Sequence, residues 1–206
     1  MTFSLRQKIL AEFIGTYFLV LTVVGSGIMG ELMSNDLGII LLGNTIATGA
    51  ILYVIISMFI NISGAYFNPA VVLSDIIQKN IPINYGIVFI ITQIIAAIFG
   101  CLTANWYFEY PIIEWSLNER VGVFKFFSEI IATVGLLLTI FILKEVNKDR
   151  IAIGVALFIT AGYWFTSSTS FANPAVTIGR MFTDSFSGIS PSSVLSFVLA
   201  QIIGAL

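Results

Sequence analysis

The sequence predicts an all-α membrane protein built as an inverted repeat, with three transmembrane helices and one half-helix in each half. Three observations predict it. Hydrophobic residues make up 58% of the 206 positions and charged residues only 10%, against roughly 25% charged in a soluble domain. Six long apolar runs follow one another along the chain. Two copies of Asn-Pro-Ala sit at matching places in two related halves. The 9 Lys and Arg balance 11 Asp and Glu, so there is no clustered basic excess of the kind that binds nucleic acid. With no histidine and a single cysteine, Cys101, the chain lacks the usual general base, any multi-cysteine metal site and any intrachain disulfide. No enzyme and no cofactor is expected, and Cys101 reads as a packing residue.

A bilayer core of about 30 Å takes roughly 20 apolar residues per helix. Runs of that kind lie near 9–30, 37–60, 84–107, 123–143 and 150–168, and a sixth runs from Ser192 to Leu206. The first follows Arg6 and Lys8 but is too long for a signal-peptide core, and no small-residue cleavage site follows it. Segments 68–79 and 173–184 open with Asn-Pro-Ala and are too short to span. Six of the nine basic residues (Arg6, Lys8, Lys79, Lys144, Lys148, Arg150) fall on the side of the N-terminus, and Arg120, Lys125 and Arg180 on the other. That asymmetry puts the N-terminus in the cytoplasm. Trp106 and Tyr107 at a helix end suit an interfacial aromatic belt.

The repeat is explicit. Ala11-Glu12-Phe13-Ile14-Gly15-Thr16 matches Ser128-Glu129-Ile130-Ile131-Ala132-Thr133, Phe67-Asn68-Pro69-Ala70-Val71 matches Ala172-Asn173-Pro174-Ala175-Val176, and Thr92-Gln93 matches Ala200-Gln201. Halves near 1–110 and 120–206 thus form one domain, 1–206. Three spans per half is odd, so the second half inserts upside down, as in transport folds with a site at mid-membrane. By the repeat the sixth helix is expected to be cut short, because only a few residues follow Gln201 while the third helix runs on well past Gln93.

Asn-Pro is a common turn dipeptide, but two copies inside a glutamate-marked repeat carry more. Asparagine is a good N-cap and proline suits the first helical position, so each Asn-Pro-Ala marks a helix start. Inversion brings both starts to the bilayer centre, where irregular backbone is tolerated only if buried or lining water. Each start carries about half a positive charge, which repels cations and protons. The amides of Asn68 and Asn173 offer donors to a neutral permeant.

On these motifs the chain resembles the major intrinsic protein family of aquaporins and aquaglyceroporins over essentially its whole length. The resemblance implies a right-handed bundle of six spans and two half-helices, a homotetramer with one pore per subunit, and no partner beyond lipid, water and small neutral solutes. The expected location is the inner (cell) membrane of a bacterium. It implies that Glu12 and Glu129 hold the pore-loop backbone, with Gln93 and Gln201 hydrogen-bonding between helices. In the family register the outer filter falls on Thr48, Ala161, Ser170 and Val176. Water-selective members usually have a bulky aromatic, a histidine, a small residue and an arginine there. Four small uncharged residues imply a wider pore, suited to glycerol, urea or neutral metalloid hydroxides such as arsenite in its neutral form, and also water. The small neighbours Gly49 and Gly162 suit close helix crossings. Arg180, one turn beyond Val176, and Phe165, one turn from Ala161, are the side chains able to fill the gap instead. The alternatives are a water-selective channel or a coupled secondary transporter, for which only Glu12 and Glu129 offer titratable groups.

Overall fold

Helices α1, α2, α3 and α7 begin where a polar side chain takes up free amides, whereas α4, α5, α6 and α8 start without such a cap. In the computed structural model, which describes residues 3–206, Ser4 and Gln7 form a capping box at the start of α1 (Leu5–Met33). Asp36 caps α2 (Leu37–Phe59) by accepting from the Gly38 and Ile39 amides. Proline occupies the first turn of α3 (Pro69–Ile77), α7 (Pro174–Gly179) and α8 (Pro191–Ala205), where its missing N–H costs no hydrogen bond. The remaining helices are α4 (Ile83–Tyr107), α5 (Val123–Val146) and α6 (Ile151–Phe165), with short 3-10 turns at Lys148–Arg150 and Arg180–Phe182. There is no strand among the described residues.

All six apolar runs are helical, but not equally long. Helices α1, α2, α4 and α5 are long and apolar enough to cross a membrane. Helices α6 and α8 have 15 residues each, or roughly 22 Å at 1.5 Å per residue. The run at 150–168 stops early because Thr166-Ser167-Ser168-Thr169-Ser170 offers the backbone local alternatives to a helix. The Thr166 hydroxyl, for example, donates to the Gly162 carbonyl at 2.7 Å.

Contacts repeat between the halves. Helix α1 packs on α2 and α4 as α5 packs on α6 and α8, while α4 meets α7 and α3 meets α8. Close backbone approach is bought with glycine: a Cβ at Gly100 would stand 2.5 Å from the Tyr17 carbonyl oxygen, and one at Gly204 2.8 Å from that of Ile130. Small residues of this kind let membrane helices touch. The outward faces carry large apolar side chains such as Phe124, Phe127, Ile131, Leu138 and Ile142 of α5. A surface of that kind is stable against lipid hydrocarbon and not against water.

Candidate functional site

The segments before α3 and α7 follow an unusual path. Gly64, Ala65 and Phe67 have φ of 100°, 51° and 49°, and Thr169, Ser170 and Ala172 have 63°, 50° and 48°. Left-handed conformations cost an L-residue about 1–2 kcal/mol each, so something must hold them. Backbone turned this way points successive amides at one spot, which is an anion-binding nest. In each half a buried carboxylate fills it. Glu12 accepts from the Tyr66 and Phe67 amides at 3.0 and 2.7 Å, from Ser63 Oγ at 2.6 Å and from Gln93 Nε2 at 2.8 Å. Glu129 accepts from the Phe171 and Ala172 amides at 2.9 and 2.8 Å and from Gln201 Nε2 at 2.7 Å. Bonds to an ionised acceptor are about twice as strong as neutral ones, which offsets the backbone cost.

The two asparagines lock the loops together. Each Oδ1 caps its own helix, accepting from the Ala70 amide at 2.9 Å and from the Ala175 amide at 3.0 Å. Each Nδ2 crosses over: Asn68 donates to the Ala172 carbonyl at 2.7 Å and Asn173 to that of Phe67 at 2.8 Å. An amide has two N–H donors, so one remains on each side chain.

Both asparagines line a cavity of about 510 Å³. Thr48, Tyr163 and Arg180 line one end, and Lys144, Lys148 and Asp149 the other, with apolar wall such as Leu52, Ile140, Val155 and Ile159 between. Asp75 also lines the cavity. It accepts from Tyr66 Oη at 2.8 Å and Asn80 Nδ2 at 2.9 Å, and Lys144 lies 3.5 Å away.

The model of the family described as major intrinsic protein matches residues 1–150. This chain belongs to the major intrinsic protein family. It is 42% identical to "Aquaglyceroporin AqpS" of Rhizobium meliloti (strain 1021), an alignment covering 98% of this chain and 87% of the relative. It is 34% identical to a "Probable aquaporin TIP-type" of Medicago truncatula over 82% of this chain and 72% of that one. The fold matches the X-ray structure of the aquaglyceroporin from Plasmodium falciparum with TM-score 0.74 and 22% identity, covering 98% of this chain and 93% of that chain. The protein is accordingly an integral, multi-pass membrane channel for small solutes and not an enzyme.

Of the four residues in this family's outer-filter register, three line the cavity: Thr48, Ser170 and Val176. The fourth, Ala161, does not. It lies on the exposed side of α6, because the cavity face of that helix runs Ala152, Val155, Ile159, Tyr163 at helical spacing. Tyr163 stands at this end of α6 instead, its hydroxyl 3.1 Å from Thr48 Oγ1. Phe165 is 56% exposed and packs edge-on against Phe158, away from the cavity. Arg180 is buried and does line it.

Several residues near this end escaped the sequence reading. Tyr163 was discoverable from the apolar spacing of α6. Phe171 and Arg120 were not, since their roles depend on a loop folding back. Arg120 lies in the 108–122 connection and donates from Nε to the Gly188 carbonyl at 3.0 Å and from Nη2 to that of Phe186 at 3.3 Å. Its Cζ stands 5.0 Å from the Phe171 ring centroid. Burial lowers the Arg120 guanidinium from its ordinary value, though an arginine stays protonated in proteins.

Proposed function

We propose that this channel passes small uncharged hydrogen-bonding solutes down their gradients: glycerol, urea or neutral metalloid hydroxides such as arsenous acid, together with water. The observation that carries the reading is the cavity lined by both asparagines. Each keeps one free N–H at a half-helix start, where the helix dipole disfavours cations. Val176, in place of an arginine directly after Asn173-Pro174-Ala175, supports a pore broader than a water filter. The name aquaglyceroporin borne by the Rhizobium relative agrees with it. In this reading residues 1–206 form one domain, six spans and two half-helices inserted as an inverted repeat in a right-handed bundle. Four copies assemble with one pore each in a bacterial inner membrane, and the N-terminus is cytoplasmic.

A coupled transporter is disfavoured by Glu12 and Glu129, whose oxygens are occupied by loop donors and which do not line the cavity. One observation favours a narrower, water-selective pore: Tyr163 and Arg180 both stand at the end marked by Thr48. Light scattering of liposomes holding the purified protein separates these readings. Glycerol, urea and water flux above protein-free liposomes, linear in the gradient, is expected. Water flux alone would replace this reading with the water channel, and saturable uptake driven by a pH gradient would replace it with the transporter. Val176→Arg should lower the glycerol-to-water permeability ratio about tenfold by narrowing the hole and adding fixed donors.

A further inference from the structure

Val176 leaves the first turn of α7 without a charge, yet a guanidinium reaches the same end of the cavity. Arg180 follows one turn later. Side chains on a helix lean toward its N-terminus, and an arginine is long enough to cover the rise of about 5.4 Å per turn. The structure shows that return. Arg180 Cζ lies 3.5 Å from the centroid of the Phe171 ring, and Phe171 immediately follows Ser170, one of the residues in the filter register. The charge therefore sits at the level of the pore loop and not a turn beyond it.

The surroundings leave its donors unused. Nε donates to the Ser187 carbonyl, and among the described residues the terminal nitrogens have no hydrogen-bond partner and no carboxylate forms an ion pair with Arg180. The residue is only 2% exposed but lines the cavity. Ser170, equally buried and also lining the cavity, has a hydroxyl with no partner among the described residues. A buried donor set and a buried hydroxyl left open on one cavity call for a permeant that supplies oxygen atoms. Arg120 stacks on the same Phe171 ring, so the 108–122 connection helps hold the platform on which Arg180 rests.

We propose that Arg180 is the specificity-determining arginine of the outer constriction, supplied from the second turn of the half-helix and folded back over Phe171. Its terminal nitrogens donate to the permeant beside Ser170, Thr48 and Tyr163, and its charge excludes cations at this end. The proposal rests on the reading of the cavity as the permeation path.

The test compares the parent, Arg180→Leu, Arg180→Lys and Arg180→Leu/Val176→Arg in liposomes, measuring glycerol and water flux by light scattering and potassium and proton leak with an internal pH dye. Arg180→Leu should raise the glycerol-to-water ratio at least about threefold and admit a cation leak absent from the parent. Arg180→Lys keeps the charge without the planar fork, so it should shift the ratio while leaving the leak closed. Returning the arginine at position 176 should restore both properties. A correctly assembled Arg180→Leu with the parent's ratio and leak overturns the proposal. If that variant does not assemble, Arg180→Lys decides: an unchanged ratio overturns it and a shifted ratio with no leak supports it. A parent that passes neither water nor glycerol shows instead that the cavity is not the path, before any variant is made.

Discussion

The half-helices that start at Asn68 and Asn173 follow one plan for a turn and then diverge. Both begin with an asparagine cap and a proline, both carry valine after Asn-Pro-Ala, and both are held from behind by a glutamate and a glutamine. One turn further on, at equivalent positions, the first half has Asp75 and the second Arg180. Both line the cavity, but their bonding states differ. Asp75 is engaged by Tyr66, Asn80 and Lys144, whereas among the described residues Arg180 is bonded only through Nε. Equivalent positions in a repeat thus serve different ends: a charge whose hydrogen bonds are used up locally ties the fold together, and one with donors left over can act on what passes.

The common scaffold should be the easiest part to break. Glu12→Ala leaves two buried backbone amides, Ser63 and Gln93 without their acceptor, and each orphaned group costs roughly 1–3 kcal/mol. Glu129→Ala removes the matching acceptor in the second half, used by the Phe171 and Ala172 amides and by Gln201. Both should unfold well below the parent in detergent melts; a parental melting temperature in either variant would show that its loop does not need the carboxylate. Gly15→Ala should come next. Its Cβ would stand 2.6 Å from Phe67 Cδ1, and overpacking of this kind costs about 1–3 kcal/mol. The second half has alanine at the matching position, Ala132, and the smaller Ala172 where the first half has Phe67. A double-mutant cycle with Phe67→Ala should therefore recover much of the loss, and strict additivity would count against the contact.

At the centre, Asn68→Asp with Asn173→Asp should admit monovalent cations, because carboxylates cancel part of the positive field at the two helix starts. Conductance equal to the parent's, in a variant shown to assemble, would remove the helix dipoles from the exclusion mechanism. The smallest effect should come from Lys144→Met at the inner end. Lys144 is the exposed partner of the pair and the buried Asp75 keeps its bonds from Tyr66 and Asn80, so the loss should stay near about 1 kcal/mol, the melt should move little and glycerol flux should stay near the parent's. A large change in flux would mean that Asp75 resembles Arg180 more closely than its hydrogen bonds indicate.

The scaffold was legible in the sequence because each of its parts has local chemistry. Asparagine followed by proline starts a helix wherever it stands, and a glutamate inside an apolar run must find donors. The filter was less legible because it depends on rotation and reach. Counting residues back from Asn173 passes through the irregular Thr166–Ser170 stretch and lands on Ala161, whereas the residue at the C-terminal end of α6 that lines the cavity is Tyr163. The return of Arg180 over Phe171 depends on the Ser187 carbonyl and on the 108–122 connection, neither of which leaves a pattern in the chain. Similarly, the length of α6 is set by a run of hydroxyl residues that hydropathy alone does not count as a stop.

The crossed asparagine bonds have a consequence for biogenesis. The Phe67 carbonyl, fixed in a left-handed turn, finds its donor only when Asn173 arrives, and Asn68 finds its acceptor only at Ala172. During synthesis the first half therefore leaves the ribosome with a loop whose Phe67 carbonyl and crossing Asn68 N–H still lack the partners they have in the finished fold, even where Glu12 already holds the Tyr66 and Phe67 amides, and hydrocarbon offers no substitute. That loop must stay in contact with water or with the insertion machinery until the second half is made, so the last helices to enter the membrane release the first ones into their final place.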